Sequence, residues 1–193
     1  MIITVATGNT HKLIEMQQIN PFKEIILTKI NGAFNPEENG TTFEENAYIK
    51  AREASLITKG YAFADDSGLC VDALNGAPGL HTARYAPTQA EKISKMLKEL
   101  QNIPFEKRTA KFICNIVLTD KYGNIVHKTS GKVEGYIAQK AAGCGGFGYD
   151  PIFFIPKYNM TIAELPDGEK NKISHRANAL IPMLKYIKEN IIT

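Results

Sequence analysis

Two adjacent carboxylates, Asp65 and Asp66, follow a short apolar run and precede Ser67-Gly68. Like charges brought that close repel unless a cation or a proton intervenes. A second acidic pair, Glu37 and Glu38, lies upstream in a polar stretch. Hard divalent ions such as Mg2+ bind one or two carboxylates together with substrate phosphates. A solvated acidic loop and an Asx turn are the alternative explanation of the same residues. The stretch Thr7-Gly8-Asn9-Thr10-His11-Lys12 places a glycine turn between a strand and a helix start. Backbone N–H groups and the helix dipole can face an anion there, and Lys12 adds a point charge. The GxxxxGK[ST] pattern is absent, and an ordinary βα turn with Asn9 in an unusual backbone conformation accounts for the stretch equally well.

Two further stretches gather polar and aromatic groups. In Gly143-Cys144-Gly145-Gly146-Phe147-Gly148-Tyr149-Asp150, Phe147 can stack on a flat ring and Asp150 can accept hydrogen bonds. Otherwise the phenyl is core and the glycines form a bulged turn. Lys170-Asn171-Lys172-Ile173-Ser174-His175-Arg176 crowds donors at a helix start, where cations are disfavoured unless an anionic or carbonyl-bearing ligand offsets them. A solvated basic helix start is the alternative. The four histidines lack ligand spacing, so a histidine metal site is not expected. Neither a Ser-His-Asp constellation nor paired cysteine spacing is present; Cys70, Cys114 and Cys144 read as bystander thiols. The residues alone point to a Mg2+-dependent enzyme acting on a phosphorylated aromatic compound.

Positioning these groups requires alternating strands and helices. Residues 2–6 and 24–30 read as strands, and residues 11–19 as a helix between them. Residues 31–41 read as a polar loop. Residues 43–59 form the most distinct helix, opened by a Thr42/Glu45 capping box and ended by Gly60. Phe43, Ala47, Ala54 and Ile57 mark its apolar stripe, in whose middle stands Lys50; such a lysine either snorkels outward or is aimed at an anion. Residues 61–64 read as a short strand ending at Asp65. Thr88 and Glu91 repeat the capping-box spacing before a helix to about residue 101. Residues 110–119 and 125–133 read as a hairpin, residues 151–155 as a short strand, and Ser174 as the cap of a closing helix that Pro182 can bend. The pattern predicts an α/β protein around a long, mixed, twisted sheet.

The chain of 193 residues suits one domain, or one domain in two lobes. A formal charge of +3 without clustering gives no nucleic-acid footprint. No apolar run reaches the roughly 18 residues of a membrane span, and the amino terminus lacks a signal-sequence pattern, so a cytoplasmic protein is expected.

In their order along nearly the whole chain, these motifs resemble the inosine/xanthosine triphosphate pyrophosphatase family. The matching pieces are Ala6-Thr7-Gly8-Asn9 with Lys12 and Glu15; Phe43 with Glu45-Asn46-Ala47 and Lys50-Ala51; and Asp65-Asp66-Ser67-Gly68-Leu69 with Val71-Asp72. They continue through Gly76-Ala77-Pro78-Gly79, Ala83-Arg84-Tyr85, Gly146-Phe147-Gly148-Tyr149-Asp150-Pro151, Ala163-Glu164-Leu165, and Lys170-Asn171 with Ser174-His175-Arg176. Ala141-Ala142 and His81-Thr82 depart from the Pro-Arg and Tyr-Ser usual at those places.

The resemblance implies hydrolysis of ITP, dITP and XTP to a monophosphate and pyrophosphate, with Mg2+ as cofactor and homodimers as the usual assembly. It implies a long mixed sheet dividing two α/β lobes, with the site in a cleft between them. By position it makes residues 7–12 (Thr7, Gly8, Asn9, Thr10, His11 and Lys12) a triphosphate cradle and turns Lys50 toward the phosphates. Asp66 becomes general base and metal ligand with Ser67 beside it. Glu37, or Glu38 if the loop alignment slips by one, becomes the second metal carboxylate. Phe147, Gly148, Tyr149, Asp150, Lys170, His175 and Arg176 match a base pocket, in which Arg176 would donate to a 6-oxo group. Other base preferences, or nucleotide binding without turnover, are the competing functions.

Overall fold

β-branched and aliphatic residues at the amino terminus form strand β1 (Ile2–Val5), and a similar run forms β2 (Ile26–Lys29). They pair in parallel, Ile2 opposite Ile26 through Val5 opposite Lys29. Parallel neighbours require a crossover, here helix α1 (Thr10–Ile19). Helix α2 (Phe43–Thr58) then leads to β3 (Ala62–Val71), which pairs with the other edge of β1. The remaining elements are α3 (Gln89–Glu99), β4 (Thr109–Thr119), β5 (Ile125–Ile137), β6 (Phe153–Ile155), β7 (Met160–Thr161), α4 (Asp167–Ile173) and α5 (His175–Asn190). The sheet runs β2-β1-β3-β4-β5-β6-β7, with β6 antiparallel to both β5 and β7. The computed structural model describes residues 1–30 and 34–192. Asn31, Gly32 and Ala33, the start of the expected polar loop, lie outside the described residues.

The expected mixed α/β sheet is therefore observed, with instructive differences. β3 does not stop before the aspartates but carries them in its middle, because side chains from three helices neutralise them. Helix α2 has its capping box, Thr42 with Glu45, yet ends with Lys59 rather than Gly60 in the left-handed region, at φ 54°. Ile57 of the expected stripe is exposed; the buried face is Ala47, Ala51 and Ala54, with Lys50 among them. The short elements α4 and β7 had no periodic signal. Pro182 sits within α5, which runs on to Asn190.

The chain divides into two compact units. One comprises Met1–Ser67, Cys114–Gly131 and Ser174–Thr193. Its sheet is covered on both faces. Ile3, Val5, Met16, Phe63, Cys114, Leu180 and Met183 form a core with α1 and α5. Ala6, Ala51, Ala54, Ala62 and Ala64 form a thinner core with α2. Small residues let α2 lie close to the strands, and Thr119 Oγ1 donates to the Ala51 carbonyl at 3.0 Å across that interface. The other unit, Gly68–Ile113 and Lys132–Ile173, has its own core of Leu69, Val71, Met96, Leu100, Phe112, Ile152 and Phe153. Buried Arg108 donates to the carbonyls of Leu100, Ile103 and Ala138, satisfying chain ends around that core.

Candidate active site

Successive side chains of a strand point to opposite faces, and this separates the two aspartates of β3. Asp65 shares its face with Phe63 and Ser67; Asp66 shares the other with Ala62 and Ala64. Each therefore has its own partners. Asp65 is fully buried, and its Oδ2 accepts from Lys12 Nζ at 2.9 Å, Ser67 Oγ at 2.8 Å and Arg176 Nη2 at 3.3 Å. Burial alone would raise its pKa, but the charges of Lys12, Arg176 and Lys50 outweigh burial and hold the carboxyl well below the usual range. Arg176, 2% exposed, also donates from Nη1 to Glu15 Oε2 at 2.6 Å. The two acids and two bases of this cluster balance in charge, as buried ions must.

On the opposite face Asp66 Oδ1 accepts from Lys50 Nζ at 2.9 Å, and Asn46 Nδ2 donates to Oδ2 at 3.4 Å. Helix α2 supplies both donors from one face, a turn apart. Lys50 also reaches Glu38 Oε1 at 3.0 Å. Hence Lys50 does not snorkel: it is aimed at two carboxylates. Burial outweighs the pull of Lys50 at Asp66, whose pKa is raised above the ordinary aspartate value. At Lys50 the order reverses: burial works to lower its pKa, but Asp66, Asp65 and Glu38 together raise it, so the ammonium stays charged.

The turn before α1 differs from expectation. Asn9 has an ordinary extended backbone, φ −92° and ψ 107°, and acts as the helix cap. Its Oδ1 accepts from the N–H groups of His11 and Lys12, at 2.9 and 3.4 Å, while its own N–H donates to Thr7 Oγ1 at 3.1 Å. Gly8, Asn9, Thr10 and His11 are exposed, and Thr7 is buried. Two of the helix's amino-terminal donors are thus taken by Asn9, which leaves Lys12 as the cationic contribution of this turn.

Among the described residues, no group of three or more His, Cys, Asp or Glu side chains is placed to hold a metal ion. A hard divalent ion bound with substrate phosphates needs only one or two carboxylates, and Asp66 with Glu38 meets that requirement. Both are oxygen donors already converging on one cation, Lys50, and the Glu38 side chain is 34% exposed, open to water. Of the two loop acids it is Glu38 that joins this group, through Lys50 Nζ; both are exposed. The chemistry of the donor set fits Mg2+.

The glycine-rich loop belongs to the other unit. Asp150, buried, accepts at Oδ2 from the Phe147 N–H at 2.8 Å and from Lys170 Nζ at 2.9 Å. The Lys170 ammonium stands 4.7 Å from the Phe147 ring centroid, within cation–π range. Gly146, at φ 70°, admits no side chain: a Cβ there would lie 2.1 Å from Asp150 Oδ2. Tyr149 is core, and its hydroxyl donates to the Thr82 carbonyl at 3.3 Å. Phe147 is only partly buried, so its ring is not simply core. His175, at the first position of α5, is half-buried.

Sequence reasoning assigned no role to Glu15, Asn46 or Asp65. Glu15 and Asn46 stood within the recognised motifs, and Asp65 stood beside Asp66. Their roles as partners of Arg176, Asp66 and Lys12 depend on contacts between distant parts of the chain.

The mixed sheet, with cation-bracketed aspartates in one unit and a pinned glycine–aromatic loop in the other, defines an α/β protein. The chain belongs to the Ham1 family, which matches residues 3–186. A dITP/XTP pyrophosphatase of Treponema denticola is 46% identical over 196 residues, covering 97% of this chain and 99% of its own length. The solved Ham1 protein of Coxiella burnetii superposes with a TM-score of 0.86 at 41% identity, over 98% of this chain and 99% of that one. The Ham1 protein of Staphylococcus aureus gives 0.86 at 36% identity, with the same coverages. These matches agree with the resemblance read from the sequence. No helix among the described residues is long and apolar enough to cross a membrane.

Proposed function

We propose that this protein hydrolyses nonstandard purine nucleoside triphosphates, ITP, dITP and XTP, to the monophosphate and pyrophosphate. The observation that carries this reading is the Asp66–Lys50–Glu38 group, two carboxylates sharing one ammonium, in a chain of the Ham1 family. Residues 1–193 act as one catalytic domain, which the nearly complete coverage by relatives supports. A homodimer in the cytoplasm is the proposed working form, checked by light scattering on the purified protein and by fractionation.

Lys12 and Lys50 neutralise phosphate oxygens. Asp66, raised by burial, accepts a proton from the water that attacks the α-phosphorus; the P–O bond to the β-phosphate breaks and pyrophosphate leaves with the electron pair. Asp66 and Glu38 would hold Mg2+, which when bound lowers the charge on the phosphates and the pKa of coordinated water. Such chemistry needs positioning and charge neutralisation and no covalent nucleophile. Arg176, whose Nη1 and Nη2 donate to Glu15 and Asp65, keeps Asp65 ionised and in place. Phe147 stacks on the purine. Lys170, which can only donate, suits the 6-oxo acceptor of hypoxanthine and xanthine and faces a donor in adenine.

Pyrophosphate release from ITP, dITP, XTP, dTTP and ATP, with and without Mg2+, tests the proposal. Fast Mg2+-dependent release from the first three alone is expected. Equal rates with dTTP would replace the base preference, and tight ITP binding without release would replace the enzyme by a nucleotide-binding regulator.

A further inference from the structure

The peptide groups on either side of Phe147 are each held by a side chain from elsewhere in the same unit. On the amino side, the Phe147 N–H donates to Asp150 Oδ2. On the carboxyl side, the Gly148 N–H donates to Gln89 Oε1 at 3.1 Å, across 59 residues of sequence. This second anchor matters because of the backbone around it. Phe147 lies between Gly146 at φ 70° and Gly148 at φ 65°. Glycines populate many conformations about equally, so an unpinned Gly-Phe-Gly segment would let the ring swing. With one bond on each side, both peptide planes are set, and the direction of the phenyl follows.

We infer that Gln89 is a positioning residue for purine binding: by accepting from the Gly148 N–H it fixes Phe147 in its stacking position. This rests on the proposed role of Phe147 as the base platform. Gln89 is suited to the task by its own place. It is the first residue of α3, whose amino terminus is independently stabilised by the Thr88/Glu91 capping box, so the anchor stands on a well-formed helix start. The Gln89 side chain is therefore free of any capping duty. An acceptor at this point also sits on the positive end of the helix dipole, where a carboxylate would be favoured over an amide.

A single neutral hydrogen bond is worth about 0.5–1.5 kcal/mol, so Gln89→Ala should raise KM for dITP about two- to tenfold. The kcat should stay within about twofold, since the reacting phosphate is untouched by a ground-state and transition-state binding loss of equal size. Gln89→Glu retains an acceptor and should bring KM back to the parent value. An unchanged KM in Gln89→Ala, a fall in kcat without a change in KM, or a Gln89→Glu variant as impaired as the alanine would overturn the role. Phe147→Ala, measured in parallel, separates the two ideas. If it raises KM and Gln89→Ala does not, only the Gln89 assignment falls. If Phe147→Ala leaves KM unchanged, the base-platform reading falls, and the role of Gln89 with it.

Discussion

On β3, Asp65 and Asp66 are held by side chains that bear formal charge, whereas in the glycine loop the held atoms are backbone N–H groups beside Phe147. The first arrangement is stiff and costly. Its ions are buried, each requires its partner, and removing one leaves the other uncompensated in a poor solvent for charge. The second is more adjustable, built from one bond to the carboxylate of Asp150, which Lys170 answers, and one neutral bond to Gln89, around residues with little intrinsic preference. A region that must keep a carboxylate in one protonation state suits the first design. A region that must accept a flat ring suits the second, where small displacements tune fit without threatening the fold. Damage to β3 should accordingly appear in turnover and stability, and damage to the loop in KM.

The largest effect is expected at Asp66. Asp66→Asn should lower kcat by about 10²- to 10⁴-fold, the worth of a general base, with an unchanged circular dichroism spectrum; near-parent turnover would break the contrast at its stronger end. Next is Arg176→Leu, which strands Glu15 and Asp65 together. Urea denaturation should show a loss of about 3–5 kcal/mol, and a loss below about 1 kcal/mol would mean that the cluster is not a structural unit. Gly146→Ala combines positive φ with a clash against Asp150 Oδ2. Steady-state kinetics should show KM for dITP raised by about tenfold or more, as expected for an added 1.4 kcal/mol, with kcat little changed.

The smallest effect concerns Cys114, which is fully buried. Burial first, and the Asp65 charge second, push its thiol up to about 12. The folded state thus keeps a proton that the unfolded chain releases near the ordinary thiol value. The stability this contributes is complete below about pH 9 and is lost as pH rises toward about 12. The advantage of the parent over Cys114→Ala should shrink between about pH 8 and about pH 10.5 in urea titrations. A constant difference would show that this core thiol is not so strongly protected.

Much of this was legible in local pattern. Thr42 with Glu45 and Thr88 with Glu91 marked helix starts because a capping box is a four-residue matter. Lys50 stood out because an ammonium on an alanine stripe needs a reason. What escaped had non-local causes. Aspartates are depleted in strands, so β3 seemed to end at Ala64; the cations that let it continue come from α1, α2 and α5. Glu38 could not be ranked above Glu37 without the position of Lys50. The pairing of Arg176 with Glu15 and Asp65 gave no signal, because both carboxylates are far away in sequence. Gln89 gave no signal, since a glutamine opening a helix is ordinary until its acceptor is seen against Gly148.

The pairing of Asp65 with Arg176 spans 111 residues. A ribosome moving along this message makes the acid long before the guanidinium that answers it. Until then, Glu15 and Asp65 have Lys12 but not the second base of their cluster, and β3 cannot settle against α5 with its charges balanced. Completion of this half of the molecule is thereby tied to the arrival of the last helix, so a chain broken off before residue 176 would carry its charge defect in the middle of its own sheet.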